Sequence, residues 1–285
     1  MTAPDVVVVG SVNADLTVRV ARHPQPGETL LGSGSAVSAG GKGANQAVAA
    51  ALQGASVAMV GAVGGDPYAA PATEILRGSG VDMSAVATVE GPTGLAVITV
   101  DEKGENTIVV VPGANAHVDA DFVEERADLI AGAGIVLLQG EIPADGFAAA
   151  VRLSTGRVVV NLAPVIEVDP AALLRADPLM ANEHEAGLIL EQLGVGITSD
   201  VPEDLARALL DAGFPSVVLT LGAAGAMVAT GDGLTPVPTP RVTPVDTVGA
   251  GDAFGGALVA RLVAGDDLIA AAGHAARVGA FAVTG

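Results

Sequence analysis

The densest run of chemically useful groups is Val245-Asp246-Thr247-Val248-Gly249-Ala250-Gly251-Asp252-Ala253-Phe254-Gly255-Gly256. A proline-rich loop (Pro236, Pro238, Pro240, Pro244) precedes it, and a helical segment over 257–264 follows. Glycines just ahead of a helix let backbone N–H groups close around an anion, and the helix N-terminus adds positive potential. Asp252 falls in the first turn, where a carboxylate can simply complement the helix dipole. Beside an anion hole it can instead take a proton from an attacking hydroxyl while the amides of Gly249, Ala250 and Gly251 hold a phosphoryl group in transfer. The residue types alone leave both readings open.

Ala39-Gly40-Gly41-Lys42-Gly43-Ala44-Asn45-Gln46-Ala47 is the second stretch. It is not a P-loop, because Gly43 follows Lys42 where Ser or Thr is required and the upstream glycine spacing is wrong. Paired glycines between a strand and a helix suit a hinge that turns Lys42 and Asn45 toward a cleft, and equally a tight turn with a solvated lysine. Asn13-Ala14-Asp15 follows the first strand and Gly10, where α/β sheets place ligand contacts. Asp accepts hydrogen bonds and Asn both donates and accepts, so the pair suits sugar hydroxyls, although an Asx-turn uses the same residues. Glu141 stands just after another strand and can reach the same crevice. In Asn182-Glu183-His184-Glu185, Asn182 and Glu185 have the spacing of a capping box. The four histidines, His23, His117, His184 and His274, form no metal-ligand spacing.

These residues need a frame. Runs of β-branched residues at 6–9, 57–63, 135–138, 158–160 and 217–221 read as strands buried on both faces. Between them, 44–52, 68–79, 119–131, 144–153, 183–193 and 202–211 read as helices. The alternation predicts a doubly wound, mostly parallel α/β sheet flanked by helices, with ligands beyond the carboxyl ends of its strands. Two strand pairs lack crossover helices: 13–20 with 29–37, and 95–100 with 107–111 across the polar turn 101–106. Thr99 is the only polar side chain within 95–100, too apolar a strand to be wetted on one face. A small β-sheet lid inserted into the body, spanning about 13–37 and 94–112 and covered in part by a second subunit, is expected within one domain over 1–285.

The 285 residues carry 13 Lys and Arg against 32 Asp and Glu, a net charge of −19, which opposes nucleic acid or an anionic membrane as partner. With no cysteine there is no disulfide framework, zinc-thiolate site or Cys nucleophile. Half the residues are hydrophobic and 2% aromatic, so Ala, Val, Leu and Ile must build the core and an aromatic clamp for a nucleobase is not expected. The longest charge-free stretch, 43–65, is interrupted by Asn45, Gln46, Gln53 and Ser56, and the N-terminus lacks a basic n-region. A cytoplasmic protein is the expectation. No G-x-G-x-x-G occurs, so a dinucleotide site is unsupported.

The motifs at 40–47 and 246–254 resemble the two signature regions of the PfkB carbohydrate kinase family, the first of them its ribose-phosphorylating branch. Gly10-Ser11-Val12-Asn13-Ala14-Asp15, Gly27-Glu28-Thr29, Gly104-Glu105-Asn106, Gly113-Ala114-Asn115-Ala116, Asn161-Leu162-Ala163-Pro164 and Thr220-Leu221-Gly222 match in the family's order along nearly the whole chain. The resemblance implies the family's α/β fold with its β lid and ATP-dependent phosphorylation of the 5-hydroxyl of D-ribose. Another furanose or nucleoside kinase, or a non-catalytic sugar- or nucleotide-binding protein on the same scaffold, stays open. It further implies that Asn13, Asp15, Gly41, Lys42, Asn45 and Glu141 hold the sugar, with Asp252 as general base and the Gly249–Gly251 amides as anion hole. Asn182, Glu185, Thr220, Gly222, Gly225 and Gly251 would serve ATP and Mg2+. Asp246 and the Val248 carbonyl would serve K+, and a homodimer would form through the lid. The family pattern continues past Ala282-Val283-Thr284-Gly285 with a Gly-Ala-containing loop and a terminal helix that supply cation carbonyls and adenine contacts, so the end of the family fold is expected to be missing here.

Overall fold

The computed structural model describes residues 3–285, so the first two residues of the expected domain lie outside the described residues. Thirteen strands follow in chain order: β1 Val6–Val9, β2 Asn13–Arg19, β3 Gly34–Gly40, β4 Val57–Gly64, β5 Asp82–Val89, β6 Gly94–Val100, β7 Asn106–Val111, β8 Ile135–Gln139, β9 Arg157–Asn161, β10 Leu179–Asn182, β11 Ser216–Thr220, β12 Ala226–Thr230 and β13 Gly233–Val237. The helices are α1 Lys42–Leu52, α2 Ala69–Ala72, α3 Glu74–Ser79, α4 Ala120–Glu124, α5 Ala127–Ala131, α6 Ala144–Leu153, α7 Pro170–Leu173, α8 Glu183–Gln192, α9 Pro202–Ala212, α10 Ala250–Val263 and α11 Leu268–Ala282.

Nine strands form one sheet in the order β13-β12-β11-β10-β9-β8-β1-β4-β5, parallel from β5 through β11 and antiparallel at β12 and β13. Both faces are covered, which is why β1 is four consecutive valines with no exposure. Val6 and Val8 point into a core with Ala47 of α1, Leu258 of α10 and Ala272 of α11. Val7 and Val9 point the other way, toward Val123, Ile130, Phe147, Ile189 and Leu205 of the helices from α4 to α9. The alternation follows from the two-residue period of a strand.

The second sheet is the expected lid, in the order β3-β2-β6-β7. Its strand over 29–37 is displaced to Gly34–Gly40, because antiparallel pairing with β2 runs from Asn13↔Gly40 to Arg19↔Gly34. Two expected helices are broken. Within 68–79, the Thr73 hydroxyl donates back to the Ala69 carbonyl at 2.6 Å and its backbone leaves the helical region. Within 119–131, the Arg126 guanidinium takes the Phe122 carbonyl at 2.6 Å, and the Arg126 amide turns to Val123 instead. The helix expected over 257–264 starts seven residues earlier, at Ala250, and Pro236 belongs to edge strand β13, where its missing N–H costs no ladder bond. β6 hides Ala96 and Ile98, as its apolar run required, while every residue of β7 is exposed.

Helices α1 and α10 lie side by side on one face of the main sheet, and Gly256 sets their distance. A Cβ on Gly256 would meet the Gln46 carbonyl at 2.5 Å and the Ala50 amide at 2.7 Å, both rigid backbone. On the neighbouring Gly255 it would meet side-chain atoms alone, the Met180 methyl at 3.1 Å and the Gln46 amide at 3.5 Å. Gly256→Ala is therefore expected to destabilise the protein by about 2 kcal/mol or more through overpacking. Gly255→Ala should fall within about 1 kcal/mol of wild type, helix propensity offsetting the tight methyl contact. Denaturant unfolding of the two variants checks the contrast, and equal losses would overturn it.

Candidate active site

The chain leaves β1 through Gly10-Ser11-Val12 and enters the lid at Asn13. Asn13 is buried, and its Oδ1 accepts from Asn115 Nδ2 at 2.7 Å; Asn115 Oδ1 in turn accepts from the Val12 amide at 2.9 Å. α1 begins against this turn because Gly41 adopts φ 90°, and a Cβ there would sit 2.7 Å from the Asn13 nitrogen. The start of α1 then meets Glu141, whose Oε2 accepts from the Lys42 amide at 3.1 Å and from the Ser11 hydroxyl. A helix N-terminus thus holds this carboxylate in place. Asp15 lies over Gly40, where no side chain would fit. Burial first, and then the negative charges of Glu141 and Asp252, push the Asp15 carboxyl up to about 6.

Asp252 stands in the first turn of α10 and is 6% exposed. Its Oδ2 accepts from Asn45 Nδ2 at 3.1 Å and its Oδ1 from Gln46 Nε2 at 3.0 Å, so both anchors come from the first turns of α1. Gly249 caps α10 at φ 77°, a left-handed conformation that L side chains rarely adopt. The first-turn N–H groups that follow have no intrahelical acceptor by helix geometry. Gly251 among them is exposed.

Two adjoining cavities meet here. One, of about 220 Å³, is walled by Lys42, Asn161, Asn182, Glu185, Gly251 and Asp252. The other, of about 600 Å³, is walled by Thr220, Gly222, Gly225, Arg241, Phe254 and Ala280 among others, largely apolar with Phe254 its one aromatic ring. They share Thr220, Thr247, Gly251 and Phe254. A small polar chamber holding a carboxylate therefore opens into a larger apolar one, a shape that suits two ligands end to end. Asn13, Asp15, Gly41, Asn45 and Glu141 line neither cavity; Asn45 joins the chamber through its bond to Asp252.

Asn182 and Glu185 form the capping box their spacing predicts: Asn182 Oδ1 accepts from the Glu185 amide at 2.8 Å, and Glu185 Oε2 from the Asn182 amide at 2.9 Å. The box leaves Glu185 Oε1 free of these bonds in the chamber wall. Asp246 and Val248 stand on an exposed loop outside both cavities, where Asp246 Oδ1 accepts from the Val248 amide at 2.9 Å. The Val283 carbonyl pins that loop, accepting from the Val245 amide at 2.7 Å. Among the described residues, no group of three or more His, Cys, Asp or Glu is arranged to hold a metal, and no helix is long and apolar enough to cross a membrane.

Residue types and spacing missed Ser11, Gln46, Asn115, Gln139 and Asn161. Gln46 lies one residue beyond Asn45 on α1, turned to the buried side, and its amide also donates to Asn161 Oδ1 at 3.0 Å. Its residue type carried no signal; only the structure shows it at 0% exposure, in a helix rich in alanine.

Comparison with known proteins bears out the fold. The family model of pfkB family carbohydrate kinases matches residues 3–285. A ribokinase of Schizosaccharomyces pombe is 35% identical over 291 residues, covering 98% of this chain and 92% of its own length. The structure of a ribokinase from Thermotoga maritima superposes with a TM-score of 0.92 at 30% identity, covering 99% of this chain and 93% of that one. That of Arabidopsis thaliana ribokinase, solved with ribose and ATP, gives 0.89 at 30% identity over 100% and 94%.

The raised Asp15 carboxyl has a consequence for stability. In the unfolded chain it ionises near 3.8, in the folded protein near 6, so its destabilising contribution is absent below about pH 4 and grows until about pH 6. Asp15→Asn is expected to stabilise the ligand-free protein at pH 7.5 by about 1 kcal/mol, a figure reduced for solvent screening, and to gain nothing at pH 4. Unfolding free energies measured at both values decide it; a difference that does not change with pH would count against the buried-carboxyl account.

Proposed function

The chain belongs to the pfkB family of carbohydrate kinases, and from that premise we propose that it transfers the terminal phosphoryl group of ATP to the 5-hydroxyl of D-ribose. The observation that carries this reading is Asp252: a buried carboxylate, gripped on both oxygens, in the wall of a polar chamber that opens past Gly251 into the larger apolar cavity.

Asn13, Asp15, Gly41, Lys42, Asn45 and Glu141 bind the sugar, the carboxylates and amide oxygens accepting from its hydroxyls and Lys42 donating. Asn182, Glu185, Thr220, Gly222 and Gly225 border ATP. In the transfer step the 5-hydroxyl proton passes to Asp252 as the hydroxyl oxygen bonds to the terminal phosphorus. The bond from that phosphorus to the bridging oxygen breaks and its electron pair leaves with ADP. The Gly249, Ala250 and Gly251 amides hold the oxygens of the moving group, and Lys42 adds positive charge, so catalysis is positioning plus charge stabilisation. Magnesium binds readily to one carboxylate plus phosphate oxygens and water, a donor set that Glu185 and ATP provide; when bound it spreads the phosphate charge. Asp246 and the Val248 carbonyl alone do not enclose a potassium ion, and no step depends on one.

We infer a homodimer through the lid, with the whole chain acting as one domain. Ile108, Val109, Val110 and Val111 of edge strand β7 are 49%, 64%, 44% and 47% exposed, a run of apolar side chains that a second copy would cover. Sedimentation should give twice the chain mass for wild type and the single mass for Val109→Asp with Val111→Asp. A monomeric wild type would sink the dimer.

For the chemistry, Asp252→Asn is expected to lower kcat by about 10³-fold or more while ribose binding persists. Undiminished turnover would remove Asp252 from its role. Across a panel of D-ribose, 2-deoxyribose, fructose and adenosine, kcat/KM should favour ribose by at least about tenfold, near 1.4 kcal/mol. A tenfold preference for another member would reassign the substrate.

A further inference from the structure

Behind Asp252 a chain of amides runs from Asn161, in the chamber wall, inward to Gln46 and Gln139. Gln46 and Gln139 are both at 0% exposure. Gln46 Nε2 donates to Asp252 Oδ1 at 3.0 Å and to Asn161 Oδ1 at 3.0 Å, while its own Oε1 accepts from Gln139 Nε2 at 2.8 Å. Asn161 is tied in turn through Nδ2 to the Met180 carbonyl at 3.3 Å. Gln139 Oε1 is buried with no donor and packs against Gly10, where a Cβ would collide with it.

The direction of every bond in this chain follows from the charge at its end. An ionised carboxylate only accepts, so Gln46 must turn its NH2 to Asp252. That leaves the Gln46 oxygen facing inward, which obliges Gln139 to donate and strands the Gln139 oxygen without a partner. Reversing the two glutamines would press an amide oxygen against a carboxylate. An unsatisfied buried carbonyl is costly, and its persistence here marks the orientation that an anionic Asp252 imposes.

We propose that Gln46, locked by Gln139 and Asn161, is a positioning residue for the transfer step: its bond to Asp252 Oδ1, opposite the Asn45 bond to Oδ2, fixes the plane in which the carboxylate meets the hydroxyl proton. The inference rests on the reading of Asp252 as proton acceptor. The titratable groups sharing the cleft with Asp252 are Asp15 from β2, Glu141 after β8, Lys42 from α1 and Glu185 from α8; none contacts Gln46 or Gln139.

The test compares Gln46→Met, Gln139→Met and their combination with wild type, in kcat and in KM for ribose and ATP. Gln46→Met is expected to lower kcat by about 10–100-fold, the loss of one hydrogen bond to a charged group, with both KM values little changed. Gln139→Met, which touches neither Asp252 nor a cavity, should lower kcat the same way by less, and the double variant should fall short of the product of the two. A purely structural role would lower the unfolding temperature and either leave kcat alone or raise KM as kcat falls, and that result overturns the proposal. Should Gln46→Met fail to fold, the split between kcat and KM in Gln139→Met decides alone. If Asp252→Asn is inactive while both glutamine variants keep the wild-type kcat, only this inference fails; if Asp252→Asn turns over normally, the assignment of the base fails with it.

Discussion

Everything at the active site depends on how closely α1 and α10 approach. Asp252 belongs to one helix; Asn45 and Gln46, the groups that grip it, belong to the other. Those bonds span more than 200 positions of sequence, and what makes them possible is a glycine at 256 that lets backbone meet backbone. The main sheet supplies the flat surface on which both helices rest, and their N-terminal ends point to the same place. Two helix N-termini therefore converge, the Lys42 amide holding Glu141 and Gly251 lining the chamber.

Such convergence answers an electrostatic difficulty. A chain of net charge −19 repels polyphosphate at long range, and three carboxylates, Asp15, Glu141 and Asp252, influence one another at the site itself. Attraction has to be short-range and directional, which backbone dipoles at helix ends provide and scattered surface lysines would not. Lys42 is well placed for this because it stands in the wall of the small chamber. The apolar wall of the larger cavity adds contact area without adding charge.

Much of this was legible in the residue pattern. The four valines of β1 and the alternation of β-branched and alanine-rich runs announced the parallel sheet, and the two glycine-rich motifs marked the places where α1 and α10 begin. Strands β5, β10, β12 and β13 were not legible. β10 is only Leu-Met-Ala-Asn and is a strand because β9 and β11 flank it, and β13 carries a proline that only an edge position tolerates. Asp252 stands in the first turn of α10 as expected, and although Gly255 and Gly256 weaken helix propensity, contact with α1 overrides that local cost and the helix runs unbroken to Val263. At the site, charged residues and asparagines drew notice by type. Gln46 and Gln139 did not, because a glutamine in sequence gives no sign of being wholly buried; its role exists only in the pairing that folding creates.

The lid carries one more implication. β2 begins with Asn13 and Asp15, and its flank is paired along its whole length with β6, which pairs in turn with β7. A second copy on β7, as proposed above, would stiffen through two ladders of hydrogen bonds the strand proposed to hold the sugar hydroxyls. Association of subunits and capture of the sugar would then be one linked equilibrium, and half-saturation by the sugar would shift with the concentration of the enzyme itself.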